Sequence, residues 1–203
     1  MKYSPDLKSE IAVAESATTP VSSVLAKPFL HLFETSLNDI YSAEKHLLKV
    51  LPKMAKAANA AELRLAFESH LKQTEEHVKR LDDVFDVCAL KLTAGNCAGI
   101  EALTTEGDAV IMEYPQGGIR DVCLIIAAQK VEHYEIAAYG ALCSMAELLK
   151  LDEAVTLLGA TLDEEESTDK LLTRISQTVN QTAAHDLHGS MDGKRIPQRN
   201  NMK

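Results

Sequence analysis

Ionisable and polar side chains interrupt four apolar helical stripes of this chain at about the same height. Apolar residues recur at the a and d positions of heptads in four segments, a pattern typical of helices that bury one face in a bundle. A polar layer inside such an apolar core indicates a metal site. The main interruptions are Glu44 in the first segment, His70, Thr74 and His77 in the second, Gln129 and Glu132 in the third, and Glu165 and Asp169 in the fourth.

The first two segments are joined by a short turn, which predicts an antiparallel hairpin in which residue heights can be compared. Glu44 lies 16 residues before the turn near residue 60, and His77 lies 17 residues after it, so the two should face each other. His70 lies 10 residues after the turn and is expected about 9 Å away in height, at ~1.5 Å per residue. We therefore interpret His70, together with Gln73 and Gln129, as hydrogen-bonding neighbours that orient the metal ligands.

The last two segments form a second predicted hairpin with matching heights. Glu135 and Glu165 lie about 15 residues from the turn between residues 150 and 151, and Glu132 and Asp169 lie about 18 to 19 residues from it. Residues three or four positions apart on a helix share a face, so each helix can direct two carboxylates at one place. The predicted metal ligands are Glu44, His77, Glu132, Glu135, Glu165 and Asp169.

This set of side chains determines which metal fits. Several carboxylates buried together without a cation would be strongly destabilising or would have to be protonated. A pair of divalent ions removes that cost. Carboxylates with one or two imidazoles, and no thiolate in position to compete, favour iron or manganese over zinc or copper. We predict a dinuclear site with two iron ions, or manganese, that could react with dioxygen or peroxide.

Each of these residues taken alone has a simpler interpretation. A core glutamate can be the ion-pair partner of a lysine such as Lys45, Lys72 or Lys130, and a lone histidine is usually a satisfied core residue. The acidic run at 163–166 is typical of a solvated helix face. Tyr139 and the four cysteines are interpreted as core packing. The coincidence of four helices at matching heights favours the metal site.

Composition limits the remaining possibilities. The chain has 203 residues, 46% hydrophobic content, no tryptophan and few glycines, which favours one all-helical domain. Its formal net charge of −9 disfavours nucleic acid as a partner. The chain shows no signal-peptide pattern, no apolar run of 18 residues and no CxxC motif, so we expect a cytoplasmic protein that does not span a membrane.

The predicted architecture is a four-helix bundle at residues 28–182, flanked by a flexible leader at 1–27 and a flexible tail at 183–203. The connection at 91–117 is long enough to run back along the bundle, which makes the second and third long helices parallel, as in ferritin-like proteins. It contains a short amphipathic piece at 99–114 that could form a helix. The four long helices are predicted at 29–58, 61–90, 118–149 and 152–181.

The predicted bundle resembles the YciE/YciF (DUF892) family of bacterial ferritin-like, rubrerythrin-related proteins. The resemblance covers residues 29–180, and its most specific part is AAQKVEHYEIAAYG at 127–140. The other segments that carry it are FLHLFETSLNDIYSAEKHLLKVLPKMAKAA, AFESHLKQTEEHVKRLDDVF and LLGATLDEEESTDKLL.

The resemblance implies a four-helix bundle, often dimeric, that is associated with bacterial stress responses and carries a di-iron ferroxidase-type centre. It assigns the family's acidic positions to Glu44, Glu132, Glu135, Glu165 and Asp169. The chain departs from the family at HLKQT, where the family commonly has HLEET, so Gln73 stands where a glutamate is expected. Because an amide is a weak metal ligand, His77 is expected to compensate.

Three functions are therefore expected, in order. The first is a ferritin-like protein, with a homodimer as the expected assembly, whose dinuclear site oxidises Fe(II) with dioxygen or peroxide. The second is a non-catalytic structural or interaction bundle of the stress response, in which the polar layer only fixes helix register. The third is disproportionation of peroxide, as in manganese catalases.

Overall fold

The structure is a computed structural model that describes residues 23–93 and 95–191. All regular elements in these residues are helices, which confirms the predicted all-α class. Four are long and form the bundle, and the fifth lies in the long connection, where a short helix was expected. The helices are α1 (Ser23–Ala57), α2 (Ala61–Val87), α3 (Ala98–Glu113), α4 (Gly118–Leu149) and α5 (Asp152–Met191).

The bundle is built from two hairpins, α1–α2 and α4–α5, with α2 packed on α5 and α1 on α4. The apolar stripes of the four helices meet in a single core that includes Phe33, Leu47, Phe67, Leu124 and Leu172. Helix α3 covers α4 and also contacts α1. Burial of these stripes supplies most of the driving force for folding, because helices of this kind are only marginally stable alone.

Asp121 near the start of α4 shows how the two hairpins are oriented. Its Oδ1 accepts the backbone N–H of Asn59 at 2.7 Å, and its Oδ2 accepts that of Ala60 at 2.8 Å. The buried Asp121 carboxylate therefore links the turn before α2 to the start of α4. Because α2 and α4 both begin at this end of the bundle, they run parallel, which confirms the ferritin-like topology with one long crossover.

The ends of three helices differ from the sequence-based bounds. Helix α1 begins at Ser23, inside the predicted leader, and α5 continues to Met191, inside the predicted tail. Backbone hydrogen bonds of a helix are local, so a helix can extend past the core that it helps to form. Helix α2 ends early because Ala89 adopts a left-handed φ of 51°. The rest of the predicted leader and tail, at 1–22 and 192–203, lies outside the described residues.

No helix in the described part of the chain is long and apolar enough to cross a lipid bilayer.

Candidate metal centre

Six ionisable side chains from all four long helices meet in the middle of the bundle. Each residue is at most 3% exposed, although charged residues are rarely buried this completely unless they are paired. Each replaces an apolar residue on the buried stripe of its helix, which is why the fold directs it inward. They are Glu44 of α1, His70 and His77 of α2, Glu132 and Glu135 of α4, and Glu165 of α5.

These residues form two overlapping groups of possible metal ligands. The His70 group consists of His70, Glu132, Glu135 and Glu165, and the His77 group consists of Glu44, His77 and Glu165. Within each group, one ligand atom per residue lies within 4.8 Å of all the others, which is close enough for one metal ion. Glu165 belongs to both groups.

Glu165 lies between the two histidines and turns a different oxygen towards each. Its Oε1 is 3.0 Å from Nδ1 of His77, and its Oε2 is 3.8 Å from Nε2 of His70. The Nδ1 of His77 is also 3.3 Å from Oε1 of Glu44, and the Nε2 of His70 is 3.4 Å from Oε1 of Glu132. Glu165 could therefore provide a ligand atom to either group.

Nine buried side-chain nitrogen and oxygen atoms in the described residues have no hydrogen-bond partner in the protein, and all nine belong to these six residues. Native proteins leave few buried polar atoms unsatisfied, because each one is destabilising. These atoms come from carboxylates and imidazoles, which are the donors that divalent iron and manganese accept. The residues present therefore fit a metal centre. The atoms are Oε2 of Glu44, both ring nitrogens of His70, Nδ1 of His77, Oε2 of Glu132 and both carboxylate oxygens of Glu135 and Glu165.

The His77 group has additional protein contacts. Tyr139 donates its hydroxyl hydrogen to Oε1 of Glu44 at 2.6 Å. The Nε2 of His77 lies 2.8 Å from Oε2 of Glu164, whose two oxygens also accept from the Arg80 guanidinium at 3.0 and 3.2 Å. With Nε2 bonded to a carboxylate, Nδ1 of His77 faces Glu44 and Glu165, which is the arrangement that orients a ligating histidine.

Burial and mutual repulsion disfavour the ionised carboxylates of the centre. Burial raises the pKa of Glu44, Glu132 and Glu135, and the charge on Glu165 raises these three pKa values further. Burial also raises the pKa of Tyr139. The centre therefore retains protons on several carboxyl groups, and an incoming cation has to displace them.

The surroundings shift the pKa values of the two histidines in opposite directions. Burial lowers the pKa of His70, so its ring is neutral and its nitrogens can bind a metal. Burial also lowers the pKa of His77, but its close contacts with the Glu165 and Glu44 carboxylates outweigh this effect and raise the pKa to about 10. Burial raises the pKa of Glu165, and its contacts with His77 and His70 reverse the shift, so Glu165 is the ionised carboxylate of the centre.

Five of the six sequence-predicted ligands lie in the two groups, and Asp169 does not. Its Oδ1 accepts the amide of Gln129 at 3.1 Å and is 3.5 Å from Nε2 of His133, so it is turned towards residues of α4 at the surface. Gln129 was interpreted as a neighbour of the ligands, and here it bonds Asp169 and Thr173 instead. Equal height on a hairpin did not bring Asp169 inward, because this position of α5 is only partly buried.

His70 was placed outside the ligand set, yet it lies in the His70 group. The height comparison assumed that all ligands share one layer, whereas the two groups occupy successive turns of α2. Gln73 lies one turn from His70 and is half-buried, and its amide favours the protonated form of His70, which raises the His70 pKa against the effect of burial. From the sequence, Tyr139 was interpreted as core packing and Glu164 as part of a solvated helix face. Contacts between helices leave no signal in the spacing of residues along the sequence, so these roles were missed.

Comparison with known proteins agrees with this architecture. Residues 29–184 match the family described as Domain of unknown function (DUF892). The chain belongs to this family. It is 43% identical over 157 residues to the protein YciF of Escherichia coli strain K12, a match that covers 76% of this chain and 92% of that protein. The resemblance found in the sequence is thus confirmed.

Two solved structures are similar to this chain. The crystal structure of the Escherichia coli stress protein YciF has a TM-score of 0.74 and 40% identity, covering 75% of this chain and 97% of that chain. The structure of YcfI from Rhodopseudomonas palustris has a TM-score of 0.69 and 37% identity, covering 71% of this chain and 92% of that chain. The ferritin-like bundle of this chain is therefore shared with both proteins.

Proposed function

We propose that this DUF892 protein binds two divalent iron or manganese ions between its four long helices and oxidises Fe(II) with dioxygen or peroxide. The observation that carries the proposal is the set of nine unpartnered donor atoms, all on six side chains that converge at mid-bundle. One ion would lie in the His70 group and one in the His77 group, with Glu165 between them. Divalent iron or manganese supplies electron transfer and open positions at which an oxidant can bind.

The protein's own residues prepare the centre. The surrounding apolar core excludes bulk water and so strengthens every electrostatic interaction at the site. Tyr139 stays protonated and donates a hydrogen bond to Oε1 of Glu44. This leaves Oε2 of Glu44 available as a ligand atom. Glu164 and Arg80 hold Nε2 of His77, which leaves its Nδ1 available.

The proposed reaction balances with iron as the electron donor. Each Fe(II) ion loses one electron to become Fe(III), and dioxygen takes up two electrons and two protons to become hydrogen peroxide. When hydrogen peroxide is the oxidant, two electrons break its O–O bond, and two protons complete two water molecules. The reaction would protect a cell by removing Fe(II) together with an oxidant.

A purely structural role for the polar layer is less well supported. Buried polar groups that fix helix register do so through satisfied hydrogen bonds, whereas both oxygens of Glu135 and both nitrogens of His70 have no partner. Peroxide disproportionation would need the same metal ligands as Fe(II) oxidation. An experiment is therefore needed to distinguish the two reactions.

We also place the protein in the cytoplasm. Cys88, Cys97, Cys123 and Cys143 are all free thiols, as expected in a reducing compartment.

A pair of neighbouring glutamates tests the proposal. Glu165→Gln removes the carboxylate shared by both groups, and Glu166→Gln removes an equal charge from an exposed residue that pairs with Lys170. We expect the unchanged chain and Glu166→Gln to oxidise added Fe(II) in air, and Glu165→Gln to show only the rate of buffer. Equal oxidation by all three, or by none, contradicts the proposal. Peroxide decay without Fe(II) would indicate disproportionation instead.

A further inference from the structure

Two carboxylates connect the buried centre to the surface, and they differ in what holds them. Glu164 is 36% exposed and bonds to both Arg80 and His77. Asp169 is 19% exposed and contacts the Gln129 amide at 3.1 Å and the His133 imidazole at 3.5 Å. A cation that approaches Glu164 meets the guanidinium of Arg80, whereas no lysine or arginine of the described residues forms an ion pair with Asp169.

The residues around Asp169 grade from exposed to buried. His133 is 68% exposed, Asp169 is partly buried, and Glu132, the neighbour of His133 in sequence, is fully buried with Oε2 unpartnered. The carboxylates of Asp169 and Glu132 are close enough that their repulsion contributes to raising the pKa of Glu132. Exposure therefore decreases stepwise from His133 to Asp169 to the His70 group.

Three surface clefts lined by described residues do not reach the centre. The clefts, of about 500, 470 and 330 Å³, are lined by residues of α1, α3, α4 and the crossover, and none of the six side chains of the centre lines any of them. The lysines adjacent in sequence to Asp169 and to its partner Gln129 are engaged elsewhere, since Lys170 pairs with Glu166 and Lys130 with Glu106.

We propose that Asp169 and His133 form an outer capture site, where a divalent cation binds before it passes to Glu132 and the buried centre. A carboxylate and an imidazole nitrogen at the surface, completed by water, provide a weak site that exchanges rapidly. The negative charge of Asp169 at the edge of the low-dielectric core also raises the local concentration of cations. The inference rests on the proposed metal centre, and it explains why an acidic residue at ligand height lies outside both groups.

The rate of cobalt uptake tests this role separately from metal capacity. Metal-free protein is mixed with Co(II) in a stopped-flow instrument, and visible absorption follows loading, while mass spectrometry after desalting counts bound ions. We expect Asp169→Asn to lower the second-order loading rate constant about tenfold at low salt and His133→Gln to lower it less, with the final ion count unchanged. The difference should shrink at high ionic strength.

Glu166→Gln is the matched control, because it removes the same charge from the same helix three residues away. We expect it to load at nearly the unchanged rate. Equal rates for the unchanged chain and Asp169→Asn would overturn the capture site. A lower final ion count in Asp169→Asn would also overturn it, since Asp169 would then hold an ion of the centre itself. No cobalt uptake by the unchanged chain would overturn the metal centre as well, and this result requires no variant.

Discussion

Two carboxylates of α4, Asp121 and Glu135, are almost equally buried but differ completely in their hydrogen bonding. Both oxygens of Asp121 accept backbone N–H groups at the start of α2, whereas both oxygens of Glu135 have no partner in the protein. The difference separates a structural carboxylate, which the fold satisfies, from one that needs a cation. Burial alone therefore does not identify a metal ligand, and unsatisfied burial is the informative observation.

The same comparison separates the two ligand groups. Of the nine unpartnered atoms, five belong to His70, Glu132 and Glu135, and two belong to Glu44 and His77. The remaining two are on Glu165. The His77 group is already held by hydrogen bonds of the protein, so the His70 group should depend more strongly on its ion.

Among the tests of the comparison between Asp121 and Glu135, removal of metal should give the largest change in stability. One ion present at 100 times its dissociation constant stabilises a protein by about 2.7 kcal/mol, which corresponds to a rise in Tm of roughly 5–10 °C for a chain of this size. We expect at least that loss after treatment with a chelator and full recovery after Fe(II) or Mn(II) is restored without oxygen. Calorimetry measures both. If the chelator does not change the Tm, Glu135 is a structural carboxylate like Asp121, and the distinction between them is wrong.

The stabilisation by metal should increase with pH. The raised pKa values of Glu44, Glu132 and Glu135 stabilise the metal-free fold below about pH 4.5, and this contribution is lost as pH rises. His77 acts in the same direction, because its contribution is complete below about pH 6.5 and is lost as pH rises through about 10.

His70 has the opposite sign, since its lowered pKa removes stability as pH falls below about 6.5. The three carboxyl groups and His77 outnumber it, and metal ions displace protons more readily at higher pH. We expect the difference in Tm between loaded and metal-free protein to be larger at pH 8 than at pH 5.5. An equal or smaller difference at pH 8 would contradict this assignment of protons.

Substitution of the two compared carboxylates should give opposite results. Glu135→Gln removes a ligand whose carboxyl group has no partner in the protein, so we expect about one bound ion in place of two and a metal-free fold at least as stable as the unchanged one. Asp121→Ala should keep the ion count and lower the stability of the metal-free protein by about 1–3 kcal/mol, because the backbone N–H groups of Asn59 and Ala60 lose their acceptor. Thermal melts and metal counts on both variants measure these effects. If the two variants have the same stability and the same ion count, the distinction between Asp121 and Glu135 is wrong.

The smallest effect is expected in the contacts around the His77 group. Tyr139→Phe removes the hydroxyl that bonds Oε1 of Glu44, and we expect the affinity for one ion to fall about tenfold with the ion count at saturation unchanged. Tyr41→Phe is the matched control, since its hydroxyl neighbours Asp82 and not a ligand. Isothermal titration measures both affinities, and equal values for the two variants would remove Tyr139 from the centre.

Much of the fold follows from sequence because periodicity and turn length are local signals. The bounds of α4 at 118–149 and the start of α5 at 152 are those predicted, and the long connection correctly indicated parallel α2 and α4. The far ends of α1 and α5 were not predicted, because helix outside the core leaves no apolar stripe.

The centre was predictable only in part. The comparison of residue heights indicated that Glu44 lies opposite His77 and Glu135 near Glu165, and the structure brings both pairs together. The geometry of a hairpin determines which residues lie opposite each other. His70 was excluded by a height difference, yet the centre extends over two helical turns. The bonds of Tyr139 and Glu164 depend on packing between helices, which residue spacing does not encode.

The central claim is that the two groups each hold one ion, and the direct test is the number of metal ions per chain. Protein purified without chelators is loaded with Fe(II) under anaerobic conditions, desalted and measured by mass spectrometry, with Glu165→Gln beside it. The two-group geometry predicts about two ions in the unchanged chain and none in Glu165→Gln. No bound ions in the unchanged chain, or the same number in both proteins, would contradict the metal centre.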